Sequence, residues 1–207
     1  MSFMCGRFAF GARLEQALVD LDVQTTLNPD PRWNIAPTDL HPMLMHDEGD
    51  LDVALGRWGF TARTEALKAP INARLETATE KPVFAEAMRT ARMAAPATGW
   101  YEWMTSPVGR HPHHHTLVDG EIMWLAGVLH PVGLEGFALL TKDATAAIAH
   151  VHPRMPVALA PHEVEAWLEH GTLPAIQAPV TSWAVGMDVN HTSRDGAHLC
   201  EPIPTLF

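Results

Sequence analysis

His115-Thr116-Leu117-Val118-Asp119-Gly120-Glu121-Ile122-Met123-Trp124-Leu125-Ala126-Gly127-Val128 is the stretch whose reading decides the fold. Asp-Gly favours a type I′ turn, so it is expected to join strands His115 to Val118 and Glu121 to Val128 as a hairpin. The same logic extends outward. Met43 to His46 and Leu51 to Phe60 read as strands joined by the turn Asp47-Glu48-Gly49-Asp50, and Gly136 to Lys142, Met155 to Ala160 and Thr181 to Asn190 as further strands. Between them, Leu14, Ala17, Leu18 and Leu21 fall at helical spacing. Pro82 to Arg92 suits a helix burying Phe84 and Met88, and Pro161 to His170 has proline at its start and Gly171 after its end. Strands dominate without βαβ alternation. The expected fold is therefore α+β, a single domain built on an antiparallel sheet or partial barrel with intervening helices.

The chain has 207 residues, 47% of them hydrophobic, enough for a core of its own. No apolar run approaches the roughly 20 residues that span a bilayer, and the first residues lack the regions of a signal peptide. A cytoplasmic protein with no membrane partner is expected. Only Cys5 and Cys200 are available, which is no disulfide framework. The formal charge of -10 argues against general duplex binding. Yet six of the 14 basic residues, Arg7, Arg32, Arg57, Arg74, Arg92 and Arg154, lie in or beside the motifs below, so a small basic groove on an acidic body is compatible with the composition.

Four segments carry candidate chemistry. Cys5 has Arg7 two residues away, and a cysteine near an Arg, a His or an amine is more reactive than one in an apolar core. If residues 1–4 are absent, Cys5 also carries the α-amine, and amine and thiol of one residue can close a thiazolidine on one aldehyde carbon. Its plainer reading is a small buried hydrophobe. Thr98-Gly99-Trp100-Tyr101-Glu102-Trp103 sets one carboxyl among aromatic rings, which raises its pKa towards neutrality and suits a general acid-base; the alternative is a surface glutamate. His152, in His150-Val151-His152-Pro153-Arg154-Met155-Pro156, is a candidate proton carrier or a simple loop residue. In Pro70-Ile71-Asn72-Ala73-Arg74, Asn72 can orient a reacting group and Arg74 can bind phosphate, or both cap a turn. His111-Pro112-His113-His114-His115 is expected to be a solvated loop rather than a metal site, because contiguous histidines point to alternating sides. Cys200 reads as structural or inert.

In their order along the chain these segments resemble the SOS response-associated peptidase family, also called abasic-site processing proteins. The resemblance rests on Met4-Cys5-Gly6-Arg7-Phe8, Trp33-Asn34-Ile35-Ala36-Pro37-Thr38, Ile71-Asn72-Ala73-Arg74 with Glu76-Thr77, and Gly99-Trp100-Tyr101-Glu102-Trp103. Arg57-Trp58-Gly59, Leu140-Thr141 and His152 with Arg154-Met155-Pro156-Val157 extend it over nearly the whole chain. It implies a thiazolidine between Cys5 and a ring-opened abasic sugar in single-stranded DNA. Asn72 would position the amine, Glu102 would act as acid-base, and His152 would assist ring opening and reversal. It implies that Arg7, Asn34, Arg74, Thr141 and Arg154 line the strand-binding cleft, and that the leader peptide is removed by the protein itself. Three departures stand out: Cys5 follows Met1-Ser2-Phe3-Met4 rather than one methionine, Pro153 follows His152 where the family has Asp, and Thr61 to Pro70 has no tryptophan. Trp58 or Phe60 would then have to stack the flanking bases.

Two other readings fit the residues. One is a cysteine peptidase or amidohydrolase acting in trans, with His152 as base for Cys5; the other is a non-covalent single-strand binding module. The expected protein is a monomer without cofactor or metal, associated with the nucleoid when bound to DNA.

Overall fold

The computed structural model describes residues 5–21, 23–47, 49–60, 69–130, 136–175 and 178–204. In chain order its strands are β1 (Phe8–Phe10), β2 (Arg32–Ile35), β3 (Leu40–Asp47), β4 (Asp50–Arg57), β5 (Asn72–Arg74), β6 (Arg92–Ala97), β7 (Gly99–Ser106), β8 (Gly109–Leu117), β9 (Met123–Leu129), β10 (Phe137–Asp143), β11 (Arg154–Pro156), β12 (Ala158–Leu159) and β13 (Val180–Ala184). The helices are short: α1 (Leu14–Leu18), α2 (Leu75–Ala78), α3 (Pro82–Ala85), α4 (Ala87–Thr90) and α5 (Val164–His170). The strands form two sheets. One runs β13-β8-β7-β1-β2, and the other β11-β10-β9-β6-β3-β4, with β12 beside β9 and β5 beside β10. Pairing is antiparallel except between β5 and β10, so the α+β fold on antiparallel sheets holds. The sheets have open ends and do not close into a barrel.

The hairpin expected at Asp119-Gly120 does not form. The turn itself is present, with Gly120 at φ +72° and its N–H donating to the Leu117 carbonyl at 3.0 Å. The strands it joins, however, enter different sheets: β8 pairs with β7 and β13, whereas β9 pairs with β6, β10 and β12. Pairing follows burial rather than turn chemistry. Every residue of β9 is buried, so it takes a central place with partners on both edges. By contrast β3 and β4 form the expected hairpin, in continuous register from Leu40↔Arg57 to Asp47↔Asp50.

The other expectations hold in part. Helical dihedrals run from Pro82 through Glu86 to Thr90, but as two short helices. Gly171, at φ +71°, ends α5 as its left-handed C-cap, a conformation glycine adopts without penalty. The strand expected over Thr181 to Asn190 stops at Ala184, and Met187–Asn190 form a 3₁₀ turn. No helix among the described residues is long and apolar enough to cross a membrane.

The two sheets close on one core. It takes Phe8 and Trp100 from the first sheet and Leu44, Trp124 and Leu139 from the second. The opposite face of the first sheet carries a smaller cluster in which Tyr101 packs with Val185, Val189 and Leu199 of the C-terminal segment. Successive residues of β7 therefore point alternately to the inter-sheet core and to that segment.

Candidate active site

The site begins with strand register. β1 runs antiparallel to β7 with Phe8↔Trp100 and Ala9↔Gly99, and Tyr101 N–H donates to the Arg7 carbonyl at 2.9 Å. Followed back from Phe8, the chain reaches Glu102 on the core side of β7. There the Cys5 backbone nitrogen donates a 2.7 Å hydrogen bond to Glu102 Oε1. Cys5 is fully buried and has φ +33°, a left-handed conformation that costs a non-glycine residue energy and tends to mark functional positions.

The second sheet supplies the rest. β5 pairs with one edge of β10 (Leu139↔Asn72), and β11 pairs with its far end (Asp143↔Arg154). One strand thus brings Asn72 and the segment around His152 to the same place. Asn72 Nδ2 donates to the Cys5 carbonyl at 3.0 Å, and His152 Nδ1 lies 3.7 Å from Glu102 Oε1. His152 Nδ1 also contacts the Arg154 backbone, 3.1 Å from its carbonyl and 3.2 Å from its nitrogen. All four residues read from the sequence as catalytic, Cys5, Asn72, Glu102 and His152, meet around the Cys5 nitrogen.

Burial controls the electrostatics. It pushes the Glu102 carboxyl up to about 8, against the opposing pull of the Cys5 N–H, of Arg110 and of the Trp103 N–H. The Cys5 thiol is pushed well above its usual range, first by burial and then by the nearby Glu102 charge. At neutral pH Glu102 can therefore give and take a proton, while the thiol stays protonated until something accepts its proton.

The residues expected to line a strand-binding cleft are differently placed. Arg7 Nη1 donates to Asn34 Oδ1 at 2.7 Å and to the Val189 carbonyl at 2.6 Å. Asn34 is buried, and its amide donates to the His191 and Arg194 carbonyls. Thr141 is buried too; its carbonyl accepts from Arg154, whose guanidinium also binds both Glu76 carboxylate oxygens and Asp143. Arg74 is exposed.

Two expectations are corrected. Trp58 and Phe60 are core residues: Trp58 packs edge-on against Phe8 and donates to the Ile71 carbonyl, and Phe60 packs against Phe84, so neither offers a face to a base. The histidine run is not a solvated loop but part of β8, with His114 and His115 buried. Among the described residues, no group of three or more His, Cys, Asp or Glu is arranged to hold a metal ion. Residues 1–4 and 61–68, where the leader and most of the tryptophan-free loop fall, lie outside the described residues.

Sequence reading missed Arg110, which lies 5.8 Å from the centre of the Trp103 ring and draws the Glu102 carboxyl down. Its signal was register: a β7–β8 hairpin sets Arg110 opposite Thr105. Glu76 and Asp143, which clamp Arg154, were missed as well. Cys200, read as structural, lies 3.0 Å from the Tyr101 hydroxyl.

Comparison with known proteins gives a consistent picture. The family model described as SOS response associated peptidase (SRAP) matches residues 4–191. Abasic site processing protein YedK of Escherichia coli is 27% identical over 97% of this chain and 100% of its own length. Abasic site processing protein YoqW of Bacillus subtilis is 27% identical over 80% of each chain. A crystal structure from Bacteroides thetaiotaomicron, 19% identical, superposes with a TM-score of 0.79 over 97% of this chain and 100% of that one. A phage-related protein from Bordetella bronchiseptica, 25% identical, does so with a TM-score of 0.71 over 87% of this chain and 94% of that one. The chain belongs to the SOS response associated peptidase family.

Proposed function

We propose that this protein processes abasic sites in DNA by bonding covalently to them, in single strands, through Cys5. The observation that carries the reading is the hydrogen bond from the Cys5 nitrogen to Glu102 Oε1, with Asn72 holding the Cys5 carbonyl. The Cys5 nitrogen thereby meets a proton carrier poised near neutrality, whose charge also acts on the thiol of the same residue. The names of the relatives YedK and YoqW point to the same substrate.

The reading requires a free amine on Cys5, hence loss of Met1 to Met4, either by initiation at Met4 followed by removal of that methionine or by cleavage of the whole segment. In self-cleavage the thiol adds to the Met4 carbonyl carbon as its proton passes to Glu102, the C–N bond breaks as the nitrogen takes that proton from Glu102, and water hydrolyses the thioester. The neutral amine then adds to the aldehyde carbon of a ring-opened sugar. Its carbinolamine collapses to imine and water, Glu102 giving a proton to the departing hydroxyl and taking one back from the nitrogen. Addition of the thiol across the imine closes the thiazolidine, its proton passing to nitrogen, so each crosslink releases one water. His152, on the far side of Glu102 Oε1, moves the proton from the sugar hydroxyl to the ring oxygen on opening and returns it on reversal. Arg74, Arg7 and Arg154 contact phosphates, Arg154 after exchanging its carboxylate partners. The protein acts as one monomeric domain in the cytoplasm.

The test is an adduct with abasic single-stranded DNA that survives denaturation. Native protein forms it and Cys5→Ala does not; an equal adduct from Cys5→Ala overturns the reading. Intact mass of the native protein should correspond to a chain starting at Cys5. A peptidase acting in trans would need a ready thiolate, and burial of the Cys5 thiol works against that.

A further inference from the structure

Opposite residues of an antiparallel pair share a face, and β7 and β8 pair with Trp100↔His115 and Glu102↔His113. Trp100, Glu102, His113 and His115 therefore point the same way, into the space between the sheets. Trp100 and His115 stack at 5.1 Å with their planes 14° apart, as that arrangement requires. Each of the four carries a buried polar atom without a hydrogen-bond partner: Trp100 Nε1, Glu102 Oε2, both ring nitrogens of His113, and His115 Nδ1. Glu102 is 1% exposed, so Oε2 is an orphan at the reacting centre, next to the oxygen that Cys5 uses.

Single orphans occur in folded proteins; five such atoms gathered on one patch of two neighbouring strands call for a shared partner. Leaving even one buried carboxyl oxygen or imidazole nitrogen unpaired costs about 1–3 kcal/mol, and buried solvent usually meets the need. An apolar core would have no use for this arrangement.

We propose that this patch holds buried solvent behind the nucleophile, and that His113 is a positioning residue which, through that solvent, supports Glu102 and connects its proton to bulk water. A proton leaving Oε2 passes to the bridging water, and a proton of that water passes to the unprotonated nitrogen of His113. The exit lies along half-buried His111, two residues away on the same face of β8, and exposed His150, both of which act electrostatically on His113. The ionisable groups facing Glu102 are the Cys5 thiol, His152 and His113, while Arg110 acts on it from the other face of the β7–β8 pair. Those facing His113 are Glu102, His111, His115 and His150. The inference rests on Glu102 being the proton carrier of the proposed function.

The test is a ¹³C NMR titration of the Glu102 side-chain carboxyl in native protein, His113→Phe and His113→Gln. The phenyl ring keeps the volume and loses the polar atoms, so the Glu102 midpoint is expected to rise by about one pH unit, the value of one lost hydrogen bond. Gln can hold the same solvent and should keep the native midpoint. An unchanged or lowered midpoint in His113→Phe overturns the inference; His113→Leu is read identically if the phenyl variant does not fold. Adduct formation by Glu102→Gln separates the two claims. Native-rate adduct from Glu102→Gln sinks the role of Glu102, whereas loss of adduct with an unmoved His113→Phe midpoint sinks only the role of His113.

Discussion

Asn72 Nδ2 donates to the Cys5 carbonyl oxygen across 67 residues of sequence, fixing the orientation of the residue proposed to carry both reacting atoms. Removing that donor leaves the reacting residue in place but lets it turn. Asn72→Ala should slow adduct formation at least tenfold while costing about 1 kcal/mol of stability, one hydrogen bond's worth. Single-turnover rates on abasic single-stranded DNA, read with urea melts, check it. Equal rates would mean that the contact is incidental.

Glu102 makes stability fall as pH rises. Its carboxyl titrates at about 8 in the folded chain against an ordinary 4.5, so between those values the folded state binds the extra proton. Deprotonation then costs up to about 1.4 kcal/mol per pH unit. Glu102→Gln should remove this slope, visible as urea midpoints that no longer drop between pH 6.5 and 8.

Three buried histidines act on the acid side. His41 and His114 are held down to about 4 and His115 to about 3, in each case chiefly by burial. Below their ordinary 6.5 the unfolded chain takes protons that the folded chain refuses, so stability is lost as pH falls through this window. Combined with Glu102, stability should peak near pH 6.5. His114→Phe should flatten the acid limb; an unchanged limb would show that His114 is protonated in place.

Asn34 bonds Arg7 with its oxygen and the His191 and Arg194 carbonyls with its amide. Asn34→Ala strands a guanidinium donor and two carbonyls. A loss of about 2–3 kcal/mol is expected, read by urea denaturation.

Arg154 is clamped by Glu76 and Asp143, and its bond to Glu76 holds the Glu76 carboxyl below its usual range. Glu76→Gln should release Arg154 towards a phosphate. Single-strand affinity should rise, and its dependence on log salt should steepen by about 0.7, the value for one further phosphate.

Periodicity and turn chemistry made the β3–β4 hairpin, α1 and the glycine end of α5 legible, because each is decided by neighbours in sequence. The destination of β8 and β9 was not. Asp119-Gly120 dictates a bend, while the partners of each strand depend on which faces must be buried. β5 is invisible for the opposite reason: three residues, Asn72–Arg74, pair in parallel with β10 and carry no pattern of their own. Motif residues announced the four groups around the Cys5 nitrogen. That Arg7 and Asn34 grip the C-terminal segment, and that Glu76 restrains Arg154, emerges only from long-range contacts. The histidines misled because a strand places alternate members of a contiguous run on opposite faces, and here both faces are covered.

The bond from Arg7 to the Val189 carbonyl spans 182 residues. During synthesis Arg7 emerges 182 residues ahead of its partner, so this brace beside Cys5 closes only after Val189 has left the ribosome.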